Sequence, residues 1–158
     1  MTKSPITSPL PESDRQTTGS ILQASLVDLI DLSLIAKQAH WNVTGRHFRS
    51  AHLQLDELVE LARKYVDDVA ERANAIGVSP NGKTRTVLES SGLPNYPDGW
   101  LSDEETVAAI VNTLETLVKR TRSRIDEAEK ADLVTQDLLT DISRDLEQAH
   151  WMWQAQRA

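Results

Sequence analysis

The sequence of 158 residues contains no cysteine. This absence excludes disulfides, thiolate metal sites and cysteine nucleophiles, so any bound metal ion must be held by imidazole and carboxylate groups. Glycine and proline are also scarce, with six of each, and most lie near the N-terminus or in one central segment. Long stretches without these helix-breaking residues are typical of an α-helical protein.

Long apolar runs are also missing. No uninterrupted run approaches the ~20 residues that a membrane-spanning helix needs, and the N-terminus lacks the basic-then-apolar layout of a secretory signal. We therefore expect a single cytoplasmic domain with no membrane partner. The net charge of −7, from 24 acidic and 17 basic residues, opposes non-specific binding to nucleic acid and favours cations as partners.

The periodicity of apolar residues predicts the organisation of the chain. Residues 1–18, rich in Pro, Ser and Thr, are interpreted as a flexible tail before one domain at 19–158. Four helices are predicted, at about 19–42, 47–76, 102–130 and 133–156. Ser102 and Glu105 form a capping box at the start of the third. Residues 78–101 read as a long crossover with a short helical piece at about 86–90. An all-α, ferritin-like four-helix bundle with a long link between helices 2 and 3 follows.

The second predicted helix carries four potential metal ligands in two pairs, His52 with Asp56 and Asp67 with Glu71. The members of each pair are four residues apart and therefore lie one above the other. All four fall within an arc of about 100°. The midpoints of the pairs are about 22 Å apart at ~1.5 Å of rise per residue, so one helix cannot complete a metal site.

A ligand on the first helix and a second copy of the chain could complete the metal site. Closing the first helical hairpin brings His40 level with His52 and Asp56, while Asp67 and Glu71 stay without partners. An antiparallel second copy would bring its own Asp67 and Glu71 to this trio, giving two identical sites per dimer. Two imidazoles and three carboxylates suit Fe(II), with zinc and manganese as competitors. The alternative is that the acidic residues are an ordinary solvated helix face.

Seven residues carry a resemblance to a known family: His40, Trp41, Asn42, His52, Asp56, Asp67 and Glu71. Their order and spacing resemble the ferroxidase signature of the Dps family, the DNA-binding proteins from starved cells, and the resemblance extends over about residues 19–153. It implies a hollow homododecamer built from two-fold dimers. Such a shell would oxidise Fe(II), preferably with hydrogen peroxide, at catalytic di-iron sites between subunits, store ferric mineral and protect DNA from oxidative damage. By this resemblance one subunit supplies the ligands His40, His52 and Asp56, and its two-fold mate supplies Asp67 and Glu71.

Three acidic residues, Asp132, Asp137 and Asp141, lie around the start of the fourth predicted helix. The resemblance places acidic pores for iron entry at this point. Acidic residues near a helix N-terminus also favour the helix dipole and act as caps. Both interpretations stay open from the sequence.

Two residues beside His40 have candidate supporting roles. Trp41 is a candidate sink for stray oxidising equivalents, with core or interface packing as the alternative. Lys37, one turn before His40, is a candidate partner for a carboxylate of the site, with plain surface exposure as the alternative.

Other assignments receive less support from the sequence. Glu147 and His150 have the Glu-x-x-His spacing of di-iron bundle proteins, but no second such pair occurs, which favours a solvated helix-surface pair. A metal-dependent amide or ester hydrolase that uses a metal-activated water is a second class of function. A DNA-compacting, nucleoid-associated protein is a third. The tail has two basic residues balanced by two acidic ones, which does not favour direct DNA binding.

Overall fold

The computed structural model describes residues 4–157, and within them four long helices and one short helix form the fold. The helices are α1 (Glu12–Asn42), α2 (Phe48–Ala75), α3 (Thr84–Ser90), α4 (Asp103–Ala128) and α5 (Leu133–Gln154), with a 3-10 turn at Ala155–Arg157. Contacts are most extensive between α1 and α2 and between α4 and α5. The two hairpins are joined by a long crossover that contains α3. This confirms the predicted all-α bundle with one long link between its halves.

The start of α1 differs from the prediction. The helix begins at Glu12, so residues 12–18 of the predicted tail (1–18) are helical. Two acidic residues lie in its first turn, where they favour the positive end of the helix dipole. Thr18 is fully buried, which makes these residues part of the folded domain. Residues 1–3 of the predicted tail lie outside the described residues.

The hydropathy of α1 is that of a core helix. One 18-residue window has a mean hydropathy of 1.5, so by length and composition alone this helix is long and apolar enough to cross a membrane. However, 67% of that window is buried inside the bundle. Leu22, Leu29 and Leu32 lie in the same apolar cluster as residues of the other long helices. The apolar character of α1 is therefore accounted for by packing within the protein.

The next two long helices begin and end close to where the sequence places them. The buried stripe of α2 includes Leu55, Ala62 and Val69, as helical periodicity predicts. At the start of α4, the Ser102 hydroxyl accepts a hydrogen bond from the backbone N–H of Glu105 at 3.2 Å. The Glu105 carboxylate accepts one from the backbone N–H of Ser102 at 2.9 Å. The predicted capping box is confirmed.

A buried carboxylate anchors the crossover to α1 and α4. Asp28 has no exposed surface, and it accepts hydrogen bonds from the Gly92 backbone N–H at 3.0 Å, Arg120 Nε at 2.8 Å and Arg124 Nη2 at 2.6 Å. A Cβ atom at Gly92 would lie 2.2 Å from Cζ of Arg120. The crossover passes so close to this arginine that only glycine fits without a shift.

Two short strands, β1 (Val43–Thr44) and β2 (Leu101–Ser102), pair in parallel. The Thr44 hydroxyl also donates to the backbone oxygen of Leu101 at 3.0 Å. This pairing ties the loop after α1 to the residues just before α4. It therefore fixes the end of the bundle at which His40 lies.

Candidate metal site between α1 and α2

The side chains of His40 and His52 are held by each other's backbone. The Nδ1 atom of His40 lies 2.9 Å from the backbone oxygen of His52, and Nδ1 of His52 lies 2.9 Å from that of His40. A carbonyl oxygen can only accept, so both Nδ1 atoms carry a proton, and in the neutral form of each ring the lone pair lies on Nε2. The rings stack with centroids 3.6 Å apart. Both imidazoles are thus in the tautomer that can bind a metal ion through Nε2.

The carboxylate of Asp56 completes this trio. Its Oδ1 atom lies 3.3 Å from Nδ1 of His40 and accepts a hydrogen bond from Nζ of Lys37 at 2.5 Å. The hydrogen bond from Lys37 lowers the pKa of the Asp56 carboxyl below its ordinary value, and the opposing effect of desolvation is smaller. Lys37 is therefore the partner of a carboxylate in the predicted site. We find no hydrogen bond to Oδ2 of Asp56 from residues 4–157.

Asp67 and Glu71 lie apart from the trio. Both are exposed on α2, and Asp67 lies about 16 Å along the helix from Asp56 at ~1.5 Å per residue. Neither carboxylate takes part in a hydrogen bond or ion pair with the described residues. Within that part of the chain no three acidic, histidine or cysteine side chains are arranged to hold a metal ion.

Large apolar side chains are exposed beside the trio. Leu34 and Trp41 are 53% and 66% exposed, and with Lys37 they lie on one face of α1. Phe48, which is 44% exposed, has its ring centroid 5.0 Å from that of His52. We call Leu34, Trp41 and Phe48 the apolar face.

Asp132 is the N-cap of α5. Its buried carboxylate accepts hydrogen bonds from the backbone N–H of Thr135 at 3.1 Å and from Nη2 of Arg72 at 2.5 Å. Burial raises the pKa of Asp132, but the hydrogen bonds from Thr135 and Arg72 outweigh it and hold that pKa below its ordinary value. The capping interpretation is confirmed for this residue. Asp137 is exposed, and Asp141 pairs with Arg144 at 2.7 Å.

Glu147 and His150, the Glu-x-x-His pair, lie in different surroundings. The Glu147 carboxylate accepts hydrogen bonds from Arg122 at 2.7 and 2.8 Å and from the Ser143 hydroxyl at 2.7 Å. The Nε2 atom of His150 is buried and has no partner in the part of the chain that the structure describes. The Glu147 carboxylate is therefore engaged at the helix surface, whereas the buried Nε2 atom of His150 departs from the predicted solvated pair.

Comparison with known proteins agrees with the fold. Residues 20–158 match the ferritin-like domain family. The chain is 34% identical over 142 residues to DNA protection during starvation protein 2 of Deinococcus radiodurans, a match that covers 90% of this chain and 59% of that protein. It is 35% identical over 135 residues to the DNA protection during starvation protein of Mycolicibacterium smegmatis, covering 85% of this chain and 74% of the relative.

A solved structure gives the same result. DpsA14 from Streptomyces coelicolor superposes with a TM-score of 0.92 at 32% identity, covering 98% of this chain and 92% of that one. Sequence identity at this level, over nearly the whole fold, supports membership of the same family as well as a shared fold. The chain therefore belongs to the ferritin-like family and, within it, to the Dps proteins.

Proposed function

We propose that this protein stores iron, oxidising Fe(II) at sites that form where two copies of the chain meet. The observation that carries the proposal is the reciprocal pairing of His40 and His52 beside Asp56. It leaves two Nε2 lone pairs and one carboxylate oxygen uncommitted. Within the described residues of one chain these groups do not yet form a metal site, so groups from a second copy have to complete it. Membership of the ferritin-like family supports iron as that metal.

The partner subunit would supply the remaining ligands. Asp67 and Glu71 are exposed and have no described partners, as expected of groups that bind across an interface. An antiparallel second copy would bring its Asp67 and Glu71 to the trio of the first, and the two-fold axis would repeat the site. Covering Leu34 and Trp41 of the apolar face would favour this association, since buried apolar area contributes about 25 cal/mol per Å².

A site for two iron ions fits the chemistry of the oxidant. Two Fe(II) ions supply the two electrons that reduce one hydrogen peroxide molecule to two hydroxide ions, and both ions become Fe(III). Within this chain, Asp56 supplies negative charge because its lowered pKa keeps it ionised, and His40 and His52 supply neutral nitrogen ligands. Fe(II) has to displace the Lys37 ammonium from Asp56 or bind through the other carboxylate oxygen.

Membership of the Dps proteins supports a larger assembly as part of the proposal. Twelve subunits would form a hollow shell that holds the ferric mineral, and Asp137 and Asp141 would line its entry pores. The carboxylate of Asp132 is already engaged by the α5 cap and by Arg72, so it would act there as a scaffold. Trp41, adjacent to His40 and 66% exposed, would take up stray oxidising equivalents.

Protection of DNA would come from removing Fe(II) and peroxide in the cytoplasm instead of from tight DNA binding. Arg15, one of two cations in the predicted tail, makes two hydrogen bonds from Nη2 to Glu12 at 2.7 and 2.8 Å. It also donates to the backbone oxygen of Gly77 at 3.2 Å. Its charge is therefore committed within the protein, which weakens any contact with phosphate groups.

Anaerobic loading with Fe(II) followed by a pulse of peroxide tests the proposal. Ferric absorbance and particle size by light scattering are followed on the same sample. We expect rapid oxidation in a large soluble particle, and loss of the rapid phase in Asp56→Ala with the particle size unchanged. Asp68→Ala is the matched control, because Asp68 lies on the same helix but pairs with Lys64 at 3.4 Å. Equal rates in Asp56→Ala and the parent, or a particle no larger than a dimer, would show the proposal to be wrong.

A further inference from the structure

A groove of about 540 Å³ lies between α1 and α4, apart from the candidate metal site. Its polar lining residues are Thr17, Ser20, Arg120, Ser123, Arg124 and Glu127. We call it the α1–α4 groove. It is bordered by the buried Asp28 cluster that anchors the crossover.

The cluster beside the groove has more positive than negative charge. Two guanidinium groups, those of Arg120 and Arg124, share the single carboxylate of Asp28. The side chain of Arg124 is 8% exposed, yet its Nη1 atom is buried and without a hydrogen-bond partner in the described residues. Arg120 reaches Asp28 through Nε, and we find no acceptor for its Nη1 and Nη2 atoms within residues 4–157. Guanidinium donors that lack an acceptor in the described residues suit an oxyanion.

The rest of the groove offers acceptors. The Thr17 hydroxyl donates to the backbone oxygen of Ser13 at 3.1 Å, and the Ser20 hydroxyl donates to that of Gln16 at 3.0 Å. Because each hydroxyl has only one proton, these oxygens can only accept from a ligand. The Glu127 carboxylate is another acceptor. A ligand that fits both sides must therefore accept from arginine and also donate a proton of its own.

We propose that the α1–α4 groove binds a phosphate group that keeps a P–OH, either free inorganic phosphate or a phosphate monoester. At neutral pH such a group carries unprotonated oxygens for the arginines. A large share of inorganic phosphate also keeps an O–H for the hydroxyl and carboxylate acceptors, and a smaller share of a monoester does, since its second pKa is about 6. Sulfate and phosphodiesters have no O–H at this pH. Because they cannot donate a hydrogen bond to the Glu127 carboxylate, its negative charge would only repel them.

Calorimetric titration of the assembled, full-length protein tests this proposal. Inorganic phosphate, phenyl phosphate, sulfate and dimethyl phosphate are compared at constant ionic strength. We expect saturable binding of one phosphate per subunit, with sulfate and dimethyl phosphate weaker by about tenfold or more, since one charge-assisted hydrogen bond is worth at least that factor. Phenyl phosphate that binds as well as phosphate assigns the groove to monoesters, whereas binding of phosphate alone assigns it to the free ion.

Variants identify the groups responsible. Arg120→Gln should weaken phosphate binding by about tenfold or more, and it leaves Asp28 paired with Arg124. Glu127→Gln should reduce the difference in binding affinity between phosphate and sulfate. Arg122→Gln is the control, because Arg122 lies on the same helix but pairs with Glu147. Thermal midpoints check that each variant is folded. Absence of saturable binding, equal binding of sulfate and phosphate, or an unchanged affinity in Arg120→Gln would overturn the proposal.

Discussion

Nδ1 of His40 and the backbone oxygen of His52 are 2.9 Å apart, and the same contact in the opposite direction has the same length. The position of each ring therefore depends on the backbone of the other residue. Such reciprocal support makes the pair a unit. Changes to the two residues should not act independently on metal binding.

The first prediction concerns this coupling. We expect His40→Ala and His52→Ala each to weaken Zn²⁺ binding. The double variant should lose less binding free energy than the sum of the two single losses. A coupling free energy of about 0.5–3 kcal/mol is typical of residues in direct contact. Titration of the assembled protein with redox-inert Zn²⁺ measures it. Strictly additive losses would show that the two rings act separately.

The second prediction concerns the ammonium group of Lys37, which is hydrogen-bonded to the Asp56 carboxylate. Lys37→Gln removes a positive charge 2.5 Å from Oδ1 of Asp56, so a metal ion no longer has to displace it. We expect severalfold tighter Zn²⁺ binding by the same titration. Lys64→Gln is the control, since Lys64 is 61% exposed and pairs with Asp68 instead. A weaker affinity in Lys37→Gln would mean that Lys37 supports the site instead of competing with the metal.

The third prediction concerns the start of α5. Asp132→Asn keeps a side chain that can cap the helix but removes the charge that faces Arg72, and it should lower the free energy of unfolding by about 2 kcal/mol. Denaturant unfolding at neutral pH measures this loss. Asp137→Asn, at an exposed position on the same helix, should change stability by less than about 0.5 kcal/mol.

The same carboxylate gives a pH dependence. The pKa of Asp132 is lowered in the folded protein from its ordinary value of 3.8. Its contribution to stability is therefore complete above that value and is lost as the pH falls through the lower pKa of the folded state. The stability difference between the parent and Asp132→Asn should shrink in acid. A difference that grows in acid would contradict the assignment.

The fourth prediction compares two glycines of the crossover. Gly92→Ala places a Cβ atom 2.2 Å from Cζ of Arg120, and displacing that arginine should lower the free energy of unfolding by about 1–3 kcal/mol. Gly99 has a φ of +83° but open space around it, so Gly99→Ala should cost only the backbone strain, about 1 kcal/mol. Denaturant unfolding of both variants checks the order. A smaller loss for Gly92→Ala would show that Arg120 moves aside easily.

Local signals predicted much of the fold. The capping box of Ser102 and Glu105 and the apolar stripe of α2 depend on residues a few positions apart, so the sequence alone reveals them. The start of α1 was missed because residues 12–18 carry no apolar stripe. They are held instead by a distant segment, the loop after α2. There the backbone oxygen of Gly77 accepts a hydrogen bond from Nη1 of Arg15 at 3.2 Å.

The candidate site was predictable to a similar degree. Helical spacing pairs His52 with Asp56, and closure of a short hairpin brings in His40, which is what the structure shows. The reciprocal histidine hydrogen bonds depend on ring orientation, which spacing does not specify. The Asp28 cluster was also missed, because Arg120 lies 92 residues from Asp28 along the chain. The only local signal was two arginines one helical turn apart on α4.

The short parallel pairing of β1 with β2 has a consequence for the order of folding. Thr44 and Leu101 are 57 residues apart, so their contact closes a long loop, whereas each helical hairpin closes a short one. We expect the hairpins to form first and the strand pairing to fasten them afterwards. The trio of His40, His52 and Asp56 lies wholly within the first hairpin, which ends at Ala75. During synthesis it could therefore take shape before the crossover has left the ribosome.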